Sequence, residues 1–216
     1  MNKSITKIKI NENISIYQNN VMENNTIIFE HDHHTIIVDP SFYAEEVFRN
    51  FNNKKIIVIL THTHFDHTGN IDIILKYTSK IFLSEKAKKI IDEIKNKNDL
   101  RMLFFGRQGI IDSSKFTFLS DKQEIFDLKI YLTPGHSHDS MCILHNDVII
   151  TGDHLFIYDI GATSFPFSNT FEMDESLIKI RKILEKNKNK LVIPGHGEWK
   201  KAKYVLENNN YLKTNS

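Results

Sequence analysis

The sequence predicts an α/β fold, on three observations. Short apolar runs rich in β-branched residues recur at Lys55–Leu60, Leu128–Leu132, Asp147–Ile150 and Lys190–Ile193. Their length and composition are those of buried strands. Between them lie segments with helical apolar spacing, such as Glu85–Lys95, whose Ala87, Ile90, Ile91 and Ile94 fall on one face. Each of those four runs leads into a polar loop carrying His or Asp. In open α/β sheets, ligand sites form beyond the carboxyl ends of strands.

Two early β-rich segments are expected, around Ile5–Ile16 and Thr26–Asp39. In the second, Ile27–Glu30 and Thr35–Val38 flank His31-Asp32-His33-His34. That pattern is a hairpin with a polar turn. Its three histidines are read as a solvated turn, because no Gly-rich loop or further ligand accompanies them. A helix is expected over Tyr43–Asn50, another over Ile71–Tyr77, and a strand over Lys80–Ser84. Asn96–Lys115 is read as a short helix packing on the core, with a pocket-lining loop as the alternative. In the second half, Met141–Leu144 reads as a strand and His145-Asn146-Asp147 as a hairpin turn. A helix is expected over Asp174–Asn187, with Leu177, Ile180, Ile183 and Leu184 on its apolar face and Asp174 as cap. A last helix is expected over Glu198–Asn208, then a loose tail.

At 216 residues the chain is read as one domain, 1–216, long enough to bury a substantial core. Its 28 basic and 27 acidic side chains balance to +1, which gives no support to a nucleic-acid partner. No run approaches the ~18 apolar residues that suggest a membrane span. The first ten residues contain no continuous apolar stretch of a signal peptide. A single cysteine, Cys142, cannot form an internal disulfide. Together these features favour a cytoplasmic protein. They leave its oligomeric state open.

The densest chemistry lies in Thr61-His62-Thr63-His64-Phe65-Asp66-His67, with three histidines and a carboxylate in seven residues. Imidazole and carboxylate together suit zinc, iron or manganese. His62 and His64 are two apart, so an extended chain leaving a strand can aim both rings the same way. Three further segments follow in order: Thr133-Pro134-Gly135-His136-Ser137-His138-Asp139-Ser140, then Thr151-Gly152-Asp153-His154, then Pro194-Gly195-His196-Gly197.

Taken together these segments resemble the metallo-β-lactamase superfamily, especially its glyoxalase II-like hydrolase branch. Ile36-Ile37-Val38-Asp39-Pro40 looks like that family's opening acidic motif, and the resemblance runs from about Thr26 to about Gly197. It implies a four-layer αββα sandwich. Carried over residue by residue, it implies two metal positions, most simply two zinc ions, with iron or manganese as alternatives. His62, His64 and His136 would hold the first ion, and Asp66, His67 and His196 the second, with Asp153 bridging. Two ions ~3.5–4 Å apart can hold a hydroxide as nucleophile. Asp66 would orient that water or move its proton. Asp39 is expected to hydrogen-bond in the site region, with a simple strand-end turn at Asp39-Pro40 as the alternative. His138 and His154 fall outside the implied ligand set. Cys142 does not match the cysteine ligand of some β-lactamases and reads as a small buried residue.

The implied activity is hydrolysis of a small ester, thioester or lactone. Close relatives often carry Gly-Arg-x-Asp where this chain has Gly161-Ala162-Thr163-Ser164. Glyoxalase II usually also has a C-terminal helical domain, and this chain ends about twenty residues after His196. Both departures argue against a glutathione thioester. Phe165-Pro166-Phe167 could instead form an apolar wall or pack in the core. One alternative is a sulfur (persulfide) dioxygenase, with one iron on His62, His136 and Asp153. Another is a phosphodiesterase or nuclease of the same superfamily, although this chain has no basic run or insert of the kind such members carry.

Overall fold

The computed structural model describes residues 5–20, 22–41, 47, 49–51, 55–68, 76–95 and 113–214. The chain forms two compact units. One comprises Met1–Leu83 and Ile91–Phe118, the other Ser84–Ile90 and Leu119–Ser216.

The first unit is built on a seven-stranded mixed sheet whose strands lie in chain order. They are β1 (Ile5–Lys9), β2 (Ile14–Asn19), β3 (Asn25–Glu30), β4 (His34–Val38), β5 (Lys55–Ile59), β6 (Thr78–Ser84) and β7 (Phe116–Leu119). The first four pair antiparallel, and β4, β5 and β6 run parallel. The parallel strands explain the apolar runs: Ile36, Ile37, Val38, Val58 and Ile59 are fully buried, with no alternation of polar residues. The β3–β4 turn is the expected hairpin, closed by His31 N donating to His34 O at 3.0 Å. The His31 and His34 rings stack at 4.4 Å across it. After β5 comes a single helical turn, α1 (Phe65–Thr68), and after β6 the helix α2 (Ala87–Lys95). Ala87, Ile90 and Ile91 are buried, as the helical spacing requires. The helices expected over Tyr43–Asn50 and Ile71–Tyr77 lie mostly outside the described residues, and so does nearly all of Asn96–Lys115.

The second unit is built on a six-stranded sheet of order β13-β12-β11-β10-β9-β8. Its strands are β8 (Glu124–Ile125), β9 (Leu128–Leu132), β10 (Met141–Leu144), β11 (Val148–Gly152), β12 (Leu191–Pro194) and β13 (Lys200–Lys201). Only β11 and β12 pair in parallel. Three helices follow the chain here: α3 (Thr170–Lys186), α4 (Ala202–Asn208) and α5 (Tyr211–Thr214). They close a core in which Leu177, Ile180 and Leu184 of α3 meet Ile149 and Val192 of the sheet and Val205 of α4.

Three expectations are corrected here. The long helix starts at Thr170, not Asp174, because Asn169 caps it: its side chain accepts from Phe171 N and Glu172 N. The last long helix starts at Ala202 rather than Glu198, because Lys200 and Lys201 pair with β12 as an edge strand. The tail is anchored. Asn209 is fully buried and donates to Phe156 O and Asp159 O at 3.1 and 3.0 Å, and Leu212 is buried in the core.

Cys142 lies inside this core, 1% exposed, as expected of a small apolar side chain. Burial pushes its thiol up to about 12, partly opposed by a hydrogen-bond contact with Thr133. The folded value is above the ordinary 9, so the neutral thiol stabilises the fold fully below pH 9. That contribution falls by about 1.4 kcal/mol per pH unit as pH rises from 9 towards 12. Denaturant titrations of the native chain and Cys142→Ala between pH 8 and 10.5 should show the mutant losing less stability over that range. Iodoacetamide at pH 8 should leave the folded chain unmodified. Rapid alkylation would contradict this placement.

Candidate metal centre

In the first unit, the site residues hang on Asp39. Its backbone sits at φ 50°, and its N–H donates to Ile59 O at 3.0 Å. This left-handed turn at the end of β4 brings the carboxylate to the end of β5. There Asp39 Oδ1 accepts from Thr61 N at 2.7 Å, and Oδ2 accepts from Thr61 Oγ1 at 2.6 Å. Asp39 Oδ2 also meets His67 Nδ1 at 3.1 Å. Asp39 is therefore both a strand-end turn and a hydrogen-bonding partner of the histidine cluster. The two sequence readings coexist.

These bonds fix the imidazoles. Because the Thr61 hydroxyl donates to Asp39, it accepts from His62 Nδ1, 3.1 Å away. His67 Nδ1 donates to Asp39. Both rings are thus held in the tautomer whose Nε2 carries the lone pair, the form a metal ligand needs. The His62 ring lies 4.6 Å from that of His64 and 4.2 Å from that of His67. The turn α1 is nucleated by His64 O, which accepts from His67 N, Thr68 N and Thr68 Oγ1, each at 3.1 Å. That turn places Asp66 beside His67, with Oδ2 to Nε2 at 3.6 Å. Asn24 Nδ2 holds the Asp66 backbone carbonyl at 3.2 Å.

The second unit has its own constellation at the carboxyl ends of β9, β11 and β12. The loop after β9 is closed by Thr133 N to Ser140 O at 2.9 Å and Gly135 N to Ser137 O at 3.1 Å. Gly135 has φ +146°, and a Cβ there would lie 2.5 Å from Met173 Cα. Only glycine allows this loop and α3 to approach so closely. His136 Nδ1 donates to Ala162 O at 2.9 Å, again leaving Nε2 as the lone-pair nitrogen. Asp153 Oδ2 lies 3.8 Å from His136 Nε2 and 3.4 Å from His196 Nε2.

The spacings test whether these side chains fit a metal. At 3.4, 3.6 and 3.8 Å the carboxylate–imidazole pairs are longer than hydrogen bonds. Ligand atoms ~2.0–2.1 Å from a tetrahedral ion stand about 3.3 Å apart, close to these separations. His62, His67, His136, Asp66 and Asp153 are all buried. Buried acids and imidazoles gathered this closely are suited to a cation that compensates them. The residues present fit a divalent metal.

Several contributors went unrecognised in the sequence. Thr61 begins the histidine segment, but its hydroxyl gives no sign of bridging Asp39 and His62. Ala162 acts through its backbone carbonyl, which composition cannot show. Gly161 carries a detectable signal as a glycine beside a polar segment. A Cβ there would collide with Asp153 O and lie 2.7 Å from His136 Nδ1. Gly161→Ala should therefore push His136 off its Ala162 bond. The expected cost is about 1–3 kcal/mol of stability and a 10–100-fold loss of metal affinity, read by thermal melts and metal titration. Wild-type affinity in that variant would show that the loop has slack. His154, outside the implied ligand set, is fully buried, and burial pushes its imidazole down to about 3, so it stays neutral. His138 Nδ1 lies 3.4 Å from Glu172 Oε2. His145 is the expected turn residue, held by Asp127 Oδ2 at 3.1 Å. Phe165 is 51% exposed, which removes the core-packing reading for that side chain.

Comparison with known proteins agrees with this geometry. A family model described as the metallo-beta-lactamase superfamily matches residues 20–196. A probable metallo-hydrolase of Methanocaldococcus jannaschii is 30% identical over 173 residues, covering 76% of this chain and 82% of the relative. A hydroxyacylglutathione hydrolase of Haemophilus influenzae is 26% identical over 205 residues, covering 90% and 94%. Among solved structures, the B3 metallo-beta-lactamase BLEG-1 matches with a TM-score of 0.72 at 22% identity, covering 97% of this chain and 99% of that one. At that identity the likeness shows the fold. The α/β class and the metallo-β-lactamase fold implied by the motifs are borne out. Among the described residues no helix is long and apolar enough to cross a membrane.

Proposed function

Because the chain belongs to the metallo-β-lactamase superfamily, whose members are usually metal-dependent hydrolases, we propose that it is a binuclear hydrolase of a small ester, thioester or lactone. The observation that carries this reading is the shared tautomer of His62, His67 and His136, each with Nδ1 engaged and Nε2 left to ligate. We assign His62, His64 and His136 to one ion, Asp66, His67 and His196 to a second, and Asp153 to both. Nitrogen and oxygen donors of this kind suit zinc, and iron or manganese also fit them.

Bound divalent ions would supply Lewis acidity, lowering the pKa of water from ~15.7 towards ~7 and polarising a carbonyl. The protein does the rest. Asp66, buried beside His67, orients the attacking water and takes its proton. Asp39, Thr61 and the Ala162 carbonyl keep the imidazoles from rotating. The water oxygen joins the acyl carbon, the bond to the alcohol or thiol breaks, and the proton ends on that leaving group.

Ala162 and Ser164 still stand where charged residues would serve a glutathione substrate. The Haemophilus relative, of nearly the same extent, does carry a hydroxyacylglutathione hydrolase name. An acyl-glutathione therefore belongs in the substrate panel. The test is turnover of p-nitrophenyl esters, acyl thioesters and lactones before and after dialysis against dipicolinate. Activity should vanish with the metal and return with added zinc. Activity that survives in metal-free protein would sink the proposal.

A further inference from the structure

The metal ligands do not set substrate choice by themselves, and the segment that follows Asp153 has features the chemistry leaves unexplained. Residues 160–171 read Ile-Gly-Ala-Thr-Ser-Phe-Pro-Phe-Ser-Asn-Thr-Phe, with no acidic or basic side chain. At the chain's 25% charged composition, about three would be expected. Exposed loops normally carry such charges, yet this one presents aromatic rings. Phe165 is 51% and Phe171 83% exposed. Phe167 adopts φ 65°, a conformation that costs a bulky residue about 1–2 kcal/mol. Strain of this kind clusters at binding sites.

Position gives these features a purpose. The Phe165 ring lies edge-on to His136, with centroids 6.0 Å apart, and the Phe156 ring lies 6.4 Å from that of His196. Two aromatic rings thus flank two of this unit's three candidate ligands. The segment is also closed on itself. Ser168 N and Oγ both donate to Phe165 O at 3.1 and 2.6 Å, and the hydroxyls of Thr163 and Thr170 meet at 3.0 Å. Asn169 N donates to Gly135 O at 2.8 Å, tying the segment to the His136 loop. An aromatic surface held in this way loses little entropy on binding. The charges at its ends are acidic and engaged: Asp159 Oδ1 accepts from Ile160 N, and Glu172 pairs with Lys86 and His138. Nothing in the segment would neutralise a substrate carboxylate.

We propose that residues 161–171 form the specificity rim of the site, with Phe165 packing against an uncharged, apolar acyl group of the substrate. This deepens the hydrolase reading by naming its substrate class. Binding of the acyl group can be tested without turnover. The experiment uses methyl ketones of increasing chain length, which carry the carbonyl but no cleavable bond. They compete with the neutral fluorescent probe N-phenyl-1-naphthylamine on the protein as isolated.

Affinity should tighten by up to about fourfold per added CH₂ over the first few carbons. Phe165→Ala should weaken the long ketones about tenfold or more and leave the shortest within about twofold, flattening the series. Phe165→Leu should restore most of the slope, which a merely structural role would not do. A flat series with the native chain, or an equal loss at every length in Phe165→Ala, would overturn the inference. So would tighter binding of S-lactoylglutathione than of any ketone. A sloped ketone series from a protein that cleaves no ester, thioester or lactone when zinc-loaded would leave the rim standing and remove the hydrolase reading instead.

Discussion

Asp66→Asn should keep the fold and the metal sites partly filled, yet lower turnover by about 10²–10⁴-fold, the usual contribution of a positioned proton acceptor. The substitution is nearly isosteric. Asp66 lies in the single turn α1, and its backbone carbonyl is held by Asn24, a bond that does not involve the carboxylate. What changes is the group beside His67: an amide can still offer an oxygen to an ion but cannot take a proton from water. Melting temperature should therefore move little while kcat falls, and the loss of rate on the acid side of the pH–rate profile that comes from protonating this base should disappear. Near-normal turnover would remove Asp66 from its assigned role and leave it as a plain ligand.

Asp39→Asn should act differently, on the metal and on the fold. Three donors converge on the Asp39 carboxylate: Thr61 N, Thr61 Oγ1 and His67 Nδ1. Asparagine tolerates the left-handed backbone at this position, so the turn itself survives. Its amide offers one acceptor oxygen in place of two. The NH₂ group then faces either Thr61 or the His67 ring as a second donor. If Thr61 Oγ1 turns to accept from the amide, it no longer fixes His62, and both tautomers loosen. Hydrogen bonds to a buried charge contribute about 1.5–3 kcal/mol each, so a loss of about 3 kcal/mol is expected in urea titrations. Metal affinity should fall about 10–100-fold. Unchanged affinity would mean that the histidines are oriented by packing alone.

Much of this was legible in the chain because of where its strands lie. β5, β11 and β12 are almost wholly buried, so their apolar runs are continuous and their ends abrupt, and His62, Asp153 and His196 follow those ends; β9 alternates buried and half-buried residues, and His136 follows it. Other elements owe their form to partners rather than to local sequence. Lys200 and Lys201 carry no strand pattern and pair only because β12 offers an edge. The first turn of α3 exposes Phe171, which hides the start of its apolar stripe, so the spacing alone points to Asp174 as cap where Asn169 serves. The tail looked polar, yet Asn209 is drawn in by two backbone carbonyls far away in the chain. The ligand residue types were readable from the motifs. The tautomers were not, because they depend on Thr61, Asp39 and the Ala162 carbonyl meeting those rings in space.

We propose that this chain holds two divalent ions for hydrolysis. Elemental analysis of protein purified without added metal or chelator tests it most directly. Close to two equivalents per chain are expected, as zinc or as zinc with iron or manganese, falling in Asp39→Asn. Close to one equivalent of iron with little zinc, together with oxygen uptake on a persulfide, would contradict it.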